Sequence, residues 1–286
     1  MRVLGSGSRL QFPFRSPVTV AVVLGAMVLA APTLAITVLA FAGMFDSAAT
    51  LSHLAMTVLP RYAGTTLLLT TAVVVIVVAV GVGAAWLIGA CEFPGRRMLA
   101  WLLVLPMAMP AFVMAYAYTD FLAPSGPLQS ALRRVAGWEI GDYWFPDIHS
   151  WPMAALCLGL ALYPYVYLLA RTAFAERSES LAEAARSLGL GPRQVWLRVT
   201  WPVARPAVAA GVALATMETL ADFGTVSYFA VDTFTAGIYR AWQSLGDRAG
   251  AAQLAVVLLV AVMALVWIER VQRGRMQFHA RSSRTP

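Results

Sequence analysis

The sequence predicts an all-α polytopic membrane protein with six transmembrane helices. Composition is the first reason: 60% of the 286 residues are hydrophobic and 12% charged, with a mean hydropathy of +0.72, outside the range of soluble domains. The second is the layout of uncharged runs, several of which exceed the roughly 20 residues that a helix needs to cross hydrocarbon. The third is the placement of the basic residues, all of them arginine.

The spans read in order as about 16–45, 62–91, 98–119, 150–170, 206–231 and 249–268. Arg2, Arg9 and Arg15 precede the first run, and LAAPTLA within it resembles a signal-peptide cleavage region. The run continues to Phe45, too long for a signal-peptide core, so it is read as an uncleaved helix. CEFPGRR, residues 91–97, is a tight turn in which Pro94-Gly95 bends the chain and Arg96 and Arg97 stay in water. The connection from Asp120 to Ser150 holds Pro124, Gly126 and the cluster Tyr143-Trp144-Phe145, expected at the membrane interface. The fifth span is interrupted by Glu218 and Asp222 and counts because its flanks are apolar.

With the N-terminus inside, sixteen of the 21 basic residues fall on the cytoplasmic side. The other five are Arg61, Arg133, Arg134, Arg240 and Arg248. Both termini are therefore expected in the cytoplasm, and the pI near 9.9 reflects that bias, with no nucleic-acid partner implied. Cys91 and Cys157 have no metal or redox spacing and read as small apolar residues. His53, His149 and His279 are scattered and read as solvated loop residues. Neither a phosphate-binding loop of the G-x-x-x-x-G-K-[ST] type nor H-E-x-x-H occurs, so no enzymatic activity and no cofactor are expected.

The segment 176–205 is the long polar loop of an otherwise apolar chain. Within it, Ser180 with Glu183 three residues on has the spacing of a capping box. Leu181, Ala184, Ala185 and Leu188 follow on one helical face, ending at Gly189. Gly191-Pro192 restarts the chain, Val195, Trp196 and Val199 give a second apolar face, and Pro202 and Pro206 redirect it into the fifth span. A helix-turn-helix knob follows. It reads either as a loop lying on the bilayer, with Glu183 only a cap, or as a docking element. The small Ala184 and Ala185 favour docking, since surface helices carry larger anchors.

Glu183-Ala184-Ala185, three residues, Gly189, nine residues, Val199, one residue, Trp201-Pro202 resembles the EAA loop of ABC importer permeases, E-A-A-x3-G-x9-I-x-L-P. Val199 stands for Ile and Trp201 for Leu. The resemblance implies an inner-membrane permease whose knob seats in a cytosolic ATPase, with Glu183, Ala184, Ala185, Gly189, Val199 and Pro202 as the coupling residues. It also implies an external substrate-binding protein and a second permease module as partners. Residues 93–122, 163–174 and 217–242 further resemble the permeases of ferric iron importers, in which one polypeptide usually carries two six-helix modules. This chain resembles the first module, as a truncated half, a split subunit or a homodimerising form.

Glu218 and Asp222 are four residues apart on the fifth span and are therefore expected on one helical face. A charge inside the bilayer costs roughly 2.5–3.5 kcal/mol on insertion scales, so such a face avoids lipid. Both are expected to offer hard oxygen to ferric iron in transit, or else to be satisfied by polar partners on neighbouring helices or by protonation of one carboxyl. Other solutes, such as sulfate, thiamine or a polyamine, and a structural subunit that transports nothing, are the alternatives.

Overall fold

The computed structural model describes residues 17–46, 56 and 58–277, and among them the regular structure is entirely helical. Two long apolar helices come first, α1 (Pro17–Asp46) and α2 (Leu59–Ala90). A bent segment follows: α3 (Arg96–Leu102), a 3-10 turn (Leu105–Ala108) and α4 (Ala111–Leu122). After α5 (Pro127–Ala136), α6 runs unbroken for 37 residues from Trp151 to Ser187. The chain continues through α7 (Pro192–Val195), a π-helical turn (Trp196–Thr200) and α8 (Trp201–Ala221). Two short helices, α9 (Gly224–Tyr228) and α10 (Phe234–Tyr239), lead to α11 (Arg248–Gln277).

The core is the contact of α2, α6 and α8, and small residues set its spacing. A side chain at Gly211 of α8 would meet the Val166 Cα of α6 at 2.7 Å, and one at Gly159 of α6 would meet Ile76 of α2 at 2.5 Å. Backbones this close give dispersion contacts that do not depend on water, the packing that holds helices together in lipid. Val166, Tyr167, Val73 and Val77 are fully buried there. Helix α1 packs on α11, with Gly43 against Ala249, and leaves Val28 and Leu29 72% and 81% exposed, as a lipid-facing surface requires.

At the end of the core away from the CEFPGRR turn, Asp232 is paired with Arg61 at 2.6 Å and Arg240 at 2.8 Å. Arg240 also donates to the Tyr62 hydroxyl, and the Phe234 N–H donates to Thr66 Oγ1. These bonds tie the segment after α9 to the start of α2. The hydrogen bond that Arg240 donates to the Asp232 carboxylate, more than charge alone, holds the guanidinium above its ordinary pKa.

Four of the described helices are long and apolar enough to cross a membrane, and five if the bent pair α3 and α4 counts as one. The structure departs from the expected spans in three places. The third, 98–119, is not one helix. It turns by 105° near residues 108–111, where Pro106 and Pro110 remove backbone donors. The fourth does not stop at 170 but continues to Ser187, so Ser180 and Glu183 lie inside a helix and the expected capping box has no helix start to cap. Where the fifth was expected over 206–231, α8 runs from Trp201 to Ala221 and is not among the helices counted above. Pro202 sits in its first turn, where no donor is lost, and Pro206 lies within it instead of redirecting the chain.

The loop aromatics also differ from the interfacial cluster expected. Tyr143 accepts from Arg133 at 3.0 Å, donates to the buried Gln129 at 2.6 Å and stacks on Trp138, so it organises the loop, while Trp144 is 86% exposed. Cys157 is buried and Cys91 half-buried. His149 lies against Tyr228 and Phe229, and His53 and His279 lie outside the described residues.

Candidate functional site

Two helix breaks face each other in the middle of the chain. The first is Met107–Pro110, where the 3-10 turn gives way to α4. The second is at Asp222, which leaves helical geometry with φ −66° and ψ 129°. Between them lies a cavity of about 480 Å³, lined by Met109, Pro110, Tyr165, Glu218, Asp222 and Phe223 among others. Irregular backbone at membrane depth is tolerated where it is buried in protein or lines a cavity, because its polar groups find partners there.

The two acids have different roles in this geometry. Asp222 is half-buried, and its carboxylate accepts the Val226 N–H at 3.0 Å and the Thr225 hydroxyl at 3.1 Å. It therefore caps the start of α9. Its own carbonyl accepts from Thr235 at 2.6 Å, which ties the break to α10. Glu218 stands in the last turn of α8, exposed on the cavity side, with no hydrogen bond or ion pair among the described residues. The expectation of one continuous helical face holding both is corrected: the helix ends between them, and the cavity brings them together instead. The described residues contain no group of three or more potential metal ligands.

The second assembly is the knob. Helix α6 ends in a glycine cap: Gly189 takes φ +84°, its N–H donates to the Arg186 carbonyl at 2.9 Å, and the Leu190 N–H donates to the Ala185 carbonyl at 3.2 Å. Only glycine adopts that conformation without strain. The chain then folds back so that Ala185 and Val195 are buried against each other, with Leu190 and Val199 beside them. Ala185 thus serves the knob's own core, whereas Ala184 is exposed and Leu188, at the tip, is 84% exposed. Pro202 is exposed at the knob's exit. Of Glu183 only the backbone is described; it lies within α6, four residues before the helix ends at Ser187.

Trp196 fixes the knob to the membrane helices. Its ring meets Trp86 of α2 edge-on at 6.1 Å and Phe174 of α6 at 5.6 Å. From Trp196 the chain enters α8 without a loop, and 21 helical residues at 1.5 Å each carry it about 30 Å to the Glu218 turn. Sequence reasoning missed the contact of Trp196 with Trp86 and Phe174, Asp232 as an ion-pair hub and the break at Met107–Pro110; the paired prolines were the visible signal for the last.

The model of the family described as "Binding-protein-dependent transport system inner membrane component" matches residues 81–277, more than half of the chain. The chain belongs to this family. It is an ABC importer permease subunit of the inner membrane. The molybdenum transport permease ModB of Escherichia coli K12 is 28% identical over 205 residues, 68% of this chain and 86% of that protein. The Fe(3+)-transport permease FbpB 2 of Haemophilus influenzae is 26% identical over 210 residues, 73% of this chain but 37% of that protein. In fold, the permease is similar to a chain of a bacterial alginate ABC transporter solved with its periplasmic protein. That match has a TM-score of 0.70 and 18% identity over 91% of this chain and 94% of the other. The inward-facing MetNI methionine transporter matches with a TM-score of 0.56 over 75% of this chain.

Proposed function

We propose that this permease carries ferric iron inward, with Glu218 as the carboxylate that meets the cation. One observation carries the reading: Glu218 faces the cavity between the two helix breaks with no partner of its own. An unpaired carboxylate attracts a hard trivalent cation and repels a dianion such as sulfate or molybdate. One free carboxylate beside an engaged one falls short of a full coordination shell, which suits passage, because a transit site must also release its ion.

In this reading, both termini and the knob lie in the cytoplasm, a binding protein delivers iron at the Asp232 end, and a second permease module closes the pathway. An ATPase subunit seats on the knob through the face that carries Ala184, Leu188 and Gly189. ATP-driven closure shifts the knob. Trp196 and the π-helical turn transmit the shift along α8, and the Glu218 turn moves relative to the Met107–Pro110 break.

Molybdate or sulfate is the second reading, favoured by the ModB relationship, which spans most of that relative's length. Uptake into liposomes holding the assembled transporter separates the two. Uptake of labelled ferric iron that falls with Glu218→Gln supports the first. Uptake of molybdate or sulfate, unchanged or raised by Glu218→Gln, supports the second.

A further inference from the structure

Tyr165 of α6 lines the same cavity as Glu218. Among residues 161–167 only Tyr165 is not buried, and its hydroxyl makes no hydrogen bond among the described residues. Helices α6 and α8 run antiparallel here. Gly211 of α8 meets α6 at Tyr165 and Val166, where an added side chain would lie 2.9 Å from the Tyr165 carbonyl oxygen and 2.7 Å from the Val166 Cα. Glu218 and Ala221, further along α8, share the cavity with Leu158, Ala161 and Leu162, which come earlier in α6. The backbone contact therefore lies on the knob side of the cavity. Glu218 stands two turns beyond Gly211, about 10 Å along the same face of α8. Helical side chains tilt toward the N-terminus of their own helix. Between antiparallel neighbours that tilt carries Tyr165 toward the Glu218 turn and Glu218 back toward Tyr165, close enough for the carboxylate's charge to act on the hydroxyl.

The cavity thus holds two oxygen-bearing side chains with no hydrogen-bond partner, a carboxylate and, on its knob side, a phenol. We infer that Tyr165 is the second oxygen donor to the transported cation and takes it from Glu218 on the way inward, an assignment that rests on the ferric reading. Carboxylate and phenolate are hard donors suited to a trivalent cation, whereas the thioethers of Met107 and Met109 in the same cavity are soft. As the O–Fe bond forms, the phenolic O–H bond breaks and its proton passes to water. Release toward the knob takes a proton back, so the iron stays ferric and no reductant is consumed. Two donors still fall short of a full coordination shell, which lets the ion leave.

The test compares Tyr165→Phe with the wild type in the assembled transporter. In liposomes with the binding protein and ATPase, uptake of labelled ferric iron is expected to fall at least fivefold in the variant. Its thermal unfolding in detergent should match the wild type, because the hydroxyl has no hydrogen bond to lose. The permease–ATPase complex without the binding protein, mixed with ferric nitrilotriacetate, is expected to show a visible ferric–phenolate charge-transfer absorption. Tyr165→Phe abolishes that absorption, and Tyr163→Phe, on the same helix but outside the cavity lining, retains it. Undiminished iron uptake in Tyr165→Phe overturns the assignment and leaves the ferric reading standing. So does an absorption that is absent from the wild type or persists in Tyr165→Phe. Earlier unfolding of Tyr165→Phe gives the hydroxyl a structural role and likewise overturns it. A wild type that takes up molybdate or sulfate and no iron overturns the ferric reading and this assignment with it.

Discussion

Replacing the two cavity acids separately distinguishes a transport role from a structural one. Glu218 has no partner to lose, so Glu218→Gln should change stability by no more than about 0.5 kcal/mol, as at other uncommitted positions. Asp222 differs. Its carboxylate is the acceptor for the Val226 N–H and the Thr225 hydroxyl, and both of those residues are fully buried. Asp222→Ala leaves two buried donors without that partner, a loss of about 2–6 kcal/mol at roughly 1–3 kcal/mol per orphaned group. Asp222→Asn keeps an oxygen acceptor and gives up charge assistance, so it costs about half as much. Thermal unfolding followed by tryptophan fluorescence in detergent reads the stability, and uptake into liposomes with the partner subunits reads the transport. Glu218→Gln should unfold with the wild type and lose most uptake, whereas Asp222→Ala should unfold several degrees earlier. A destabilised Glu218→Gln, or an Asp222→Ala as stable as the wild type, refutes the division of roles.

Four further outcomes follow from the knob and the opposite end. Trp196→Ala removes the ring lodged against Trp86 and Phe174 and should leave ATP hydrolysis by the complex running while uptake falls, which paired hydrolysis and uptake assays measure. Gly189→Ala forces a side chain into a left-handed conformation at about 1–2 kcal/mol, and should weaken retention of the ATPase subunit in pull-down from membranes, with Gly189→Arg weakening it further. Glu183→Ala lies inside a continuous helix and has no cap to lose, so its helix stability should be unchanged or slightly raised. Any loss of coupling in that variant reports docking alone. Asp232→Asn breaks two ion pairs whose arginines are 72% and 52% exposed, so water takes over much of the interaction and the expected loss is about 1 kcal/mol, smaller in high salt by thermal unfolding.

The membrane class, the long first, second and last apolar helices and the turn of the knob were legible in the sequence, because hydropathy and spacing are local signals. Gly189 shows this well: its position in the EAA pattern and its left-handed cap are the same fact seen twice. What was not legible depended on competition between local signals and longer-range structure. Ser180 and Glu183 have the spacing of a helix start, but α6 arrives at them already helical, and a growing helix does not restart. The break at Asp222 escaped notice because the surrounding residues are apolar. Its cue is the aspartate itself, which stops one helix by accepting hydrogen bonds from the next. Ala185 looked like a surface for close approach by a partner; only folding back of Val195 shows that the knob uses it internally.

Transport by the assembled complex in liposomes, with binding protein and ATPase present and with ferric iron, molybdate and sulfate offered in parallel, tests the central claim most directly. The account predicts ATP-dependent uptake of ferric iron alone, lost in Glu218→Gln while hydrolysis still responds to the loaded binding protein. Uptake of either oxyanion in place of iron, or full iron uptake without the Glu218 carboxylate, would contradict it.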